Sequence, residues 1–187
     1  MSKESLRAHL REIPDFPVPG ILFYDVTTLF KDPVCLKEMV DLLYEHYKDK
    51  GITKVVGIES RGYILGPALA LRLGAGFVMA RKPGKLPADK ISESYSKEYG
   101  VDRIEMHCDA ITQDDVVLLH DDLLATGGTF AAACRLVGKF SPKKVYMGCV
   151  IDICDLPRVK EFPLDVELYS LLQLSETGDM KALGLKK

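Results

Sequence analysis

Val116-Val-Leu-Leu-His-Asp-Asp-Leu-Leu-Ala-Thr-Gly-Gly-Thr129 is the stretch on which the reading of this chain turns. Four apolar residues run into an acidic pair, and a Thr-Gly-Gly-Thr turn then opens a helix written Phe130-Ala-Ala-Ala-Cys-Arg-Leu-Val137. The order predicts a buried strand over 116–120, a charged strand end, an anion cradle and a helix over 129–140. Glycines let backbone N–H groups approach an anion, and the first turn of a helix presents unpaired donors at the positive end of its dipole. Asp121 and Asp122 beside such a cradle would repel a bare phosphate. Hydroxyls of a sugar carrying that phosphate would give both carboxylates a partner, so the local reading is a sugar-phosphate site. It is not a Walker loop, because no Gly-Lys-Ser/Thr follows the glycines, and it is not a Gly-x-Gly-x-x-Gly dinucleotide turn. An acidic pair alone would be read as a solvated strand end. The whole pattern reverses that.

Outward from this stretch the chain alternates between strand and helix signals. Ser2–Arg11 is predicted as a short amphipathic helix with Leu6, His9 and Leu10 on one side. Three prolines keep Pro14–Gly20 out of any helix or central strand. Asp32-Pro33 caps a helix to about Lys48, in which Val34, Met39, Val40, Leu43 and Tyr47 repeat at helical spacing. Lys54–Ile58 is a short buried strand, Tyr63 to about Leu73 a helix, and Gly76–Ala80 another strand. Residues 81–100 are polar, lack a sustained period and are expected to form a long mobile loop. Alternation over Arg103–His107 suits a half-buried hairpin strand, so that 81–107 is one loop-and-hairpin unit. Strands over Lys144–Ile151 and Val166–Leu172, with a turn or short helix around Pro157, complete the pattern. The polar tail Ser175–Lys187 is expected to be frayed or weakly docked.

Apolar strands alternating with helices imply an α/β domain, a mainly parallel twisted sheet with helices on both faces. At 187 residues, with no linker or repeat, the expectation is a single domain over 1–187. In such sheets ligands sit at the carboxyl ends of strands, where both Glu59-Ser-Arg-Gly62 and Asp121–Thr129 fall. The near-balanced net charge of −2, with dispersed Lys and Arg, argues against a nucleic-acid partner. No apolar run reaches the length of a membrane span, and Met1-Ser-Lys-Glu-Ser-Leu-Arg7 lacks a signal-peptide core. Five cysteines without C-x-x-C spacing, mostly in apolar runs, fit buried thiols and a cytoplasmic location. The four histidines are too scattered to suggest a metal cluster. His107 and His120 are read as structural, His120 as satisfied by a neighbouring carboxylate.

Two further segments carry charge suited to a polyphosphate. Arg61 sits in a strand-to-helix turn, and Arg81-Lys82-Pro-Gly-Lys85 places three cations within five residues of a strand end. Alone, the second would be a solvated face; beside a sugar-phosphate loop it favours pyrophosphate.

The acidic pair with its Thr-Gly-rich turn resembles the phosphoribosyl-diphosphate motif of the type I phosphoribosyltransferases. Pro14-Asp-Phe-Pro, Gly20-Ile-Leu-Phe, Glu59-Ser-Arg-Gly, Arg81-Lys-x-Gly-Lys-Leu-Pro and Tyr95-Ser-Lys-Glu-Tyr-Gly100 stand in an order similar to the adenine-using branch of that family, from about Ile13 to Val137. The resemblance implies transfer of a phosphoribosyl group from phosphoribosyl diphosphate to adenine, giving AMP and diphosphate, in a homodimer. It implies Mg²⁺ as cofactor, held mainly by diphosphate and ribose and not by a protein metal site. Residue by residue, Ala125, Thr126, Gly127, Gly128 and Thr129 would hold the 5′-phosphate, and Asp121 and Asp122 the ribose hydroxyls. Glu59, Ser60 and Arg61 would line the diphosphate, with Arg81, Lys82 and Lys85 contributing cations, Arg81 and Lys85 from the neighbouring subunit. Phe23 and Leu123 would sandwich the base and the Leu22 backbone would read its edge. Glu98, bracketed by Tyr95 and Tyr99, would act on N7 of the purine, Tyr99 counting among the binding residues.

Two positions depart from that pattern: Tyr24, where many relatives have Arg, and Glu59, where Asp is common. Transfer to a 6-oxopurine or orotate is the nearest rival, separated by whether the base edge meets a backbone acceptor around residues 21–23. A sensor of phosphoribosyl diphosphate without turnover is the second rival; it would usually lose the loop carboxylate and add a nucleic-acid-binding segment, and this chain has Glu98 and no such segment.

Overall fold

The computed structural model describes residues 3–96 and 100–176. Five parallel strands form the central sheet: β3 (Lys54–Ile58), β4 (Gly76–Ala80), β7 (Val116–Leu124), β8 (Lys144–Ile153) and β9 (Leu168–Leu174), in the spatial order β4-β3-β7-β8-β9. The order reverses direction between β3 and β7, which opens a crevice at the carboxyl ends of those two strands. Neighbouring strand residues serve opposite faces. Val55 and Leu118 pack with helices α3 (Pro33–Tyr47) and α4 (Gly62–Leu73), whereas Val56, Val117 and Leu119 pack with α5 (Gly128–Gly138). Burial on both faces explains the continuous apolar runs in the sequence. Truncating a fully buried side chain such as Leu118 or Leu119 to Ala costs about 2–5 kcal/mol.

The helices start and stop where their local chemistry directs. Asp32 accepts hydrogen bonds from the backbone N–H groups of Val34 and Cys35 at 2.9 Å each, with Pro33 at the first helical position of α3. Gly74, in the left-handed conformation, ends α4. Within α3 the buried stripe runs through Cys35, Met39, Val40, Leu43 and Tyr47, whereas Val34 is exposed because it lies on the opposite side of the helix. His9 likewise faces solvent at the end of α1 (Lys3–His9), while Leu6 and Leu10 are buried.

Three elements differ from the sequence reading. Arg11–Pro14 (β1) and Leu22–Asp25 (β2) form an antiparallel hairpin, followed by a short helix α2 (Thr27–Lys31). These four-residue strands are too short to show a period. Residues 81–100 are not one long loop: Lys90–Ser96 (β5) pairs in register with Val101–His107 (β6). The alternation of β5 is hidden because its inward face carries Ile91, Glu93 and Tyr95, and Glu93 is charged; it is matched by Arg135 of α5 and by Lys139 at the end of that helix. Of the two forms expected around Pro157 the structure has the turn, and β7, β8 and β9 each extend past the predicted C-terminal limits.

Candidate active site at the sheet crevice

Each side of the crevice is a strand-to-helix turn. On the β7 side, the strand keeps its pairing with β8 through Leu124, so Asp121 and Asp122 lie inside the strand and not beyond its end. Asp122 is 3% exposed. The chain then turns through Ala125 and Thr126 to Gly127, which caps α5 in the left-handed conformation at φ 83°. A Cβ on Gly127 would lie 2.5 Å from the Phe162 ring, so both backbone angle and space require glycine. Gly127 has no side chain with which to cap α5, so the first N–H groups of the helix are open to an anion.

Residues beyond the sequence motif brace this turn. Arg158 donates to the carbonyls of Ala125 and Ile153 and pairs with Asp152, and Val159 N–H donates to the Thr126 carbonyl at 2.8 Å. Carbonyls held from behind turn the cradle's N–H groups forward. Sequence reasoning missed Arg158 and Phe162, which lie 25 residues or more from the motif with no spacing signal of their own.

On the β3 side, Ile58 leads into Glu59, Ser60 and Arg61, with a cis Glu59–Ser60 peptide, and α4 begins at Gly62. Here α4 presses against β7 so closely that a Cβ on Gly62 would lie 2.6 Å from the His120 carbonyl oxygen. That approach brings Arg61 Nε within 2.7 Å of Asp122 Oδ2, an ion pair spanning the crevice. Arg61 itself is largely exposed, so one face of its guanidinium meets solvent and the other the buried carboxylate. Asp121 has no such neighbour. Burial, reinforced by the adjacent Asp122 charge, pushes its carboxyl well above the ordinary 3.8, with Arg61 opposing.

His120 is fully buried, and its Nδ1–H donates to the Gly148 carbonyl at 3.2 Å. Burial lowers its pKa to about 4, so it is neutral and structural. Its partner is a backbone carbonyl and not the carboxylate expected from the sequence.

Glu59 organises the cationic segment. Its Oε2 accepts from Lys82 N–H at 2.9 Å and from Arg81 Nε at 3.3 Å, and Arg81 Nη1 donates to the Lys85 carbonyl at 3.1 Å. Partial burial alone would raise the Glu59 carboxyl, but these donors hold it below its ordinary value. The extra methylene relative to Asp gives the reach for this contact. In the single chain Arg81 is thus held by Glu59 and the Lys85 carbonyl. Lys82 and Lys85 extend into solvent, and Ser60 is exposed in the turn.

The other sequence-predicted residues, Leu22 and Phe23, lie on β2 of the β1–β2 hairpin. Phe23 packs edge-on against Phe16 at 5.1 Å between centroids and is only half-buried, as are Leu22 and Leu123. The Ile21 carbonyl accepts from Phe16 N–H, and Leu22 N–H donates to the Glu176 carbonyl at 3.2 Å. Tyr24 is buried, 3% exposed, with its hydroxyl donating to the Ser175 carbonyl at 2.7 Å. Glu98 and Tyr99 lie outside the described residues. Among the described residues, no three His, Cys, Asp or Glu side chains gather as a metal cage, and no helix is long and apolar enough to cross a membrane.

A parallel sheet whose reversal point is flanked by a glycine anion cradle, two carboxylates and a crevice arginine defines a sugar-phosphate-handling α/β protein. The family model described as phosphoribosyl transferase domain matches residues 25–167, and the chain belongs to the phosphoribosyltransferase family. More particularly, it is 67% identical to the adenine phosphoribosyltransferase of Phocaeicola vulgatus, over 93% of this chain and the whole of that protein. The crystal structure of adenine phosphoribosyltransferase from Rhodothermus marinus superposes with a TM-score of 0.84 at 48% identity, covering 92% of this chain and 98% of that one. The Giardia lamblia enzyme, solved with 9-deazaadenine, gives 0.85 at 41% identity, with the same coverage of each chain.

Proposed function

We propose that this chain transfers the 5-phosphoribosyl group of phosphoribosyl diphosphate to N9 of adenine, releasing AMP and diphosphate in purine salvage. The observation that carries the reading is the left-handed Gly127 cradle a few residues beyond the Asp121–Asp122 pair, of which buried Asp122 is paired with Arg61 across the crevice. The adenine-named relatives support the choice of base.

In this reading Ala125 through Thr129 hold the 5′-phosphate on backbone N–H groups, and Asp121 and Asp122 hold the ribose hydroxyls. Cleavage of the anomeric C1′–O bond runs ahead of bond formation from N9, so positive charge grows on the ribose ring. The two carboxylates lie where that charge develops, and their stabilisation is greatest in the transition state. The bonding pair leaves with diphosphate, whose charge Arg61, Lys82 and Lys85 neutralise together with Arg81. Phe23 and Leu123 stack on the base, and the Leu22 backbone meets its edge. Glu98 receives or directs the proton that the purine gives up. Residues 81–107 cover the loaded site and exclude water, which would otherwise give ribose 5-phosphate.

Mg²⁺ suits the residues present. Asp121 and Asp122 are adjacent carboxylates whose mutual charge helps to raise the Asp121 carboxyl, so a nearby cation relieves them. It would be held mainly by diphosphate and ribose hydroxyls, with the two carboxylates beside it, and would neutralise leaving-group charge. A homodimer, in which Arg81 and Lys85 serve the neighbour's site, is part of the reading, as are a single domain over 1–187 and a reducing, cytoplasmic setting for the free cysteines.

Incubation with Mg²⁺, phosphoribosyl diphosphate and adenine, hypoxanthine, guanine or orotate in separate reactions tests the whole. AMP from adenine is the expected product. Faster product from another base would overturn the base assignment, and binding without any turnover would make the chain a sensor. Mixing an inactive Asp121/Asp122 variant with an inactive Arg81/Lys85 variant should restore activity if subunits share sites; exchange without recovery means that each works alone.

A further inference from the structure

Tyr24 departs from the family pattern beside the base-stacking Phe23, and the structure gives it a specific task. In β2 the backbone alternates. Ile13 and Phe23 are paired partners on β1 and β2, while Pro14, opposite Leu22, has no N–H to give. Leu22 instead turns its N–H away from β1, to the Glu176 carbonyl at 3.2 Å. The residues after β9 are thus hydrogen-bonded along the free edge of the strand that lines the base pocket.

Two more bonds fix that segment. The Tyr24 hydroxyl donates to the Ser175 carbonyl at 2.7 Å, and Glu176 N–H donates to Asp155 Oδ1 at 2.8 Å. The Tyr24 ring is anchored in the core and lies 5.6 Å from the Arg7 guanidinium, so its hydroxyl is a fixed point. Residues 175 and 176 are held from three directions: by Tyr24, by Leu22 and by the turn after β8.

We infer that Tyr24 is a positioning residue for base recognition, fixing residues 175–176 against the edge of β2 and so setting the position of Leu22 and Phe23 over the ribose site. The inference rests on the assignment of Leu22 and Phe23 to the base pocket. The Tyr24 hydroxyl donates to Ser175 and not to a residue assigned to ribose or phosphate, so its loss should bear on one substrate only. A neutral hydrogen bond of this kind corresponds to a factor of about 3–10 in an equilibrium constant.

Steady-state kinetics on the full-length protein test it. Tyr24→Phe retains the ring and removes the hydroxyl. Its KM for adenine should rise about 3- to 10-fold, with kcat, KM for phosphoribosyl diphosphate and the unfolding midpoint near wild type. Asp155→Ala loosens the same segment from the opposite side and should raise the adenine KM in the same direction, by less. An unchanged adenine KM in Tyr24→Phe, or equal rises for both substrates together with a lower unfolding midpoint, would overturn the inference. Phe23→Ala separates the two levels. If it leaves adenine KM unchanged, the pocket assignment itself is wrong; if it raises KM while Tyr24→Phe does not, only the role of Tyr24 fails.

Discussion

The turn from β7 into α5 and the β5–β6 hairpin meet along helix α5, yet different forces shape them. The turn is built from local backbone chemistry: a buried strand, a left-handed Gly127 and a helix start, braced by Phe162 and Arg158. The hairpin is seated by the buried Ile104 and Met106 of β6 and, along β5, tied to α5 by charge. Arg135 donates to Glu93 Oε1 at 2.9 Å and to the Ser94 carbonyl at 3.0 Å, and Lys139 reaches Glu93 Oε2 at 2.8 Å and the Ser92 carbonyl at 2.7 Å. In the proposed reading the turn is a phosphate cradle, whose N–H directions must be fixed before substrate arrives, and the hairpin part of a cover, which must part from its support at low cost. Backbone geometry serves the first requirement, and ion pairs at the surface serve the second.

Substitution in the cradle should therefore do the most damage, to fold and function together. Gly127→Ala forces an L-residue to φ 83° and drives a methyl into the Phe162 ring. The expected loss is about 2–4 kcal/mol of stability, from strain and overpacking together. Turnover should fall by more than about 10³-fold, since several aligned donors shift at once. Adding Phe162→Ala to Gly127→Ala removes the steric part and should recover some stability but little turnover. Full recovery of both would show that Phe162, and not the backbone angle, sets the cradle. Unfolding curves and single-turnover rates of the two variants separate these cases.

Next in size is Asp121→Asn, which should set stability against activity. Burial first, and the Asp122 charge second, raise the Asp121 carboxyl above its ordinary 3.8. The folded protein then binds this proton more tightly than the unfolded chain, so stability falls as pH rises from 3.8 through the folded value. The penalty is therefore larger at neutral pH than in acid. Asp121→Asn removes it, so the variant should melt higher than wild type near pH 7, with the difference vanishing below about pH 4. Turnover should drop about 10²–10³-fold, as for loss of a preorganised electrostatic group, while AMP affinity changes much less. Equal losses in turnover and AMP binding would reduce Asp121 to a contact with the ribose, and a lower neutral-pH melting temperature would show that its charge is matched in the fold.

The same division explains what the sequence reveals. The α/β architecture, helix α3 with its Asp32 cap, strands β3 and β4 and both crevice turns are readable, because each is encoded by neighbouring residues. Strand β5 is not. Its inward face places Glu93 between Ile91 and Tyr95, and that charge is sensible only opposite Arg135 and Lys139, about forty residues later. Arg158 and Phe162 are equally silent, since their contacts with Ala125 and Gly127 arise from the sheet order. Tyr24 stands out in the sequence as a departure, but only the fold shows that its hydroxyl faces Ser175. The family resemblance supplies roles for Glu98 and Tyr99, which lie outside the described residues.

The smallest effect should come from the hairpin, through Glu93→Gln. Lys139 above all, then Arg135, hold the Glu93 carboxyl below its ordinary 4.5. A depressed carboxyl contributes stability above 4.5 and loses it as pH falls through the folded value. The variant should melt slightly lower than wild type at neutral pH, by about 1 kcal/mol or less for a partly exposed ion pair. That difference should shrink below pH 4.5, and also in high salt, which screens exposed charges. If the hairpin covers the site, weakening its latch should admit water, raising the ratio of ribose 5-phosphate to AMP by up to about fivefold, the factor for roughly 1 kcal/mol. Gln retains a hydrogen-bonding oxygen for Arg135, so the hairpin should stay folded and the KM for adenine unchanged. An unaltered product ratio beside the expected pH-dependent melting shift would leave the ion pair as a structural tie. A higher ratio in wild type at high salt, absent from Glu93→Gln, would identify this latch as the salt-sensitive element of closure.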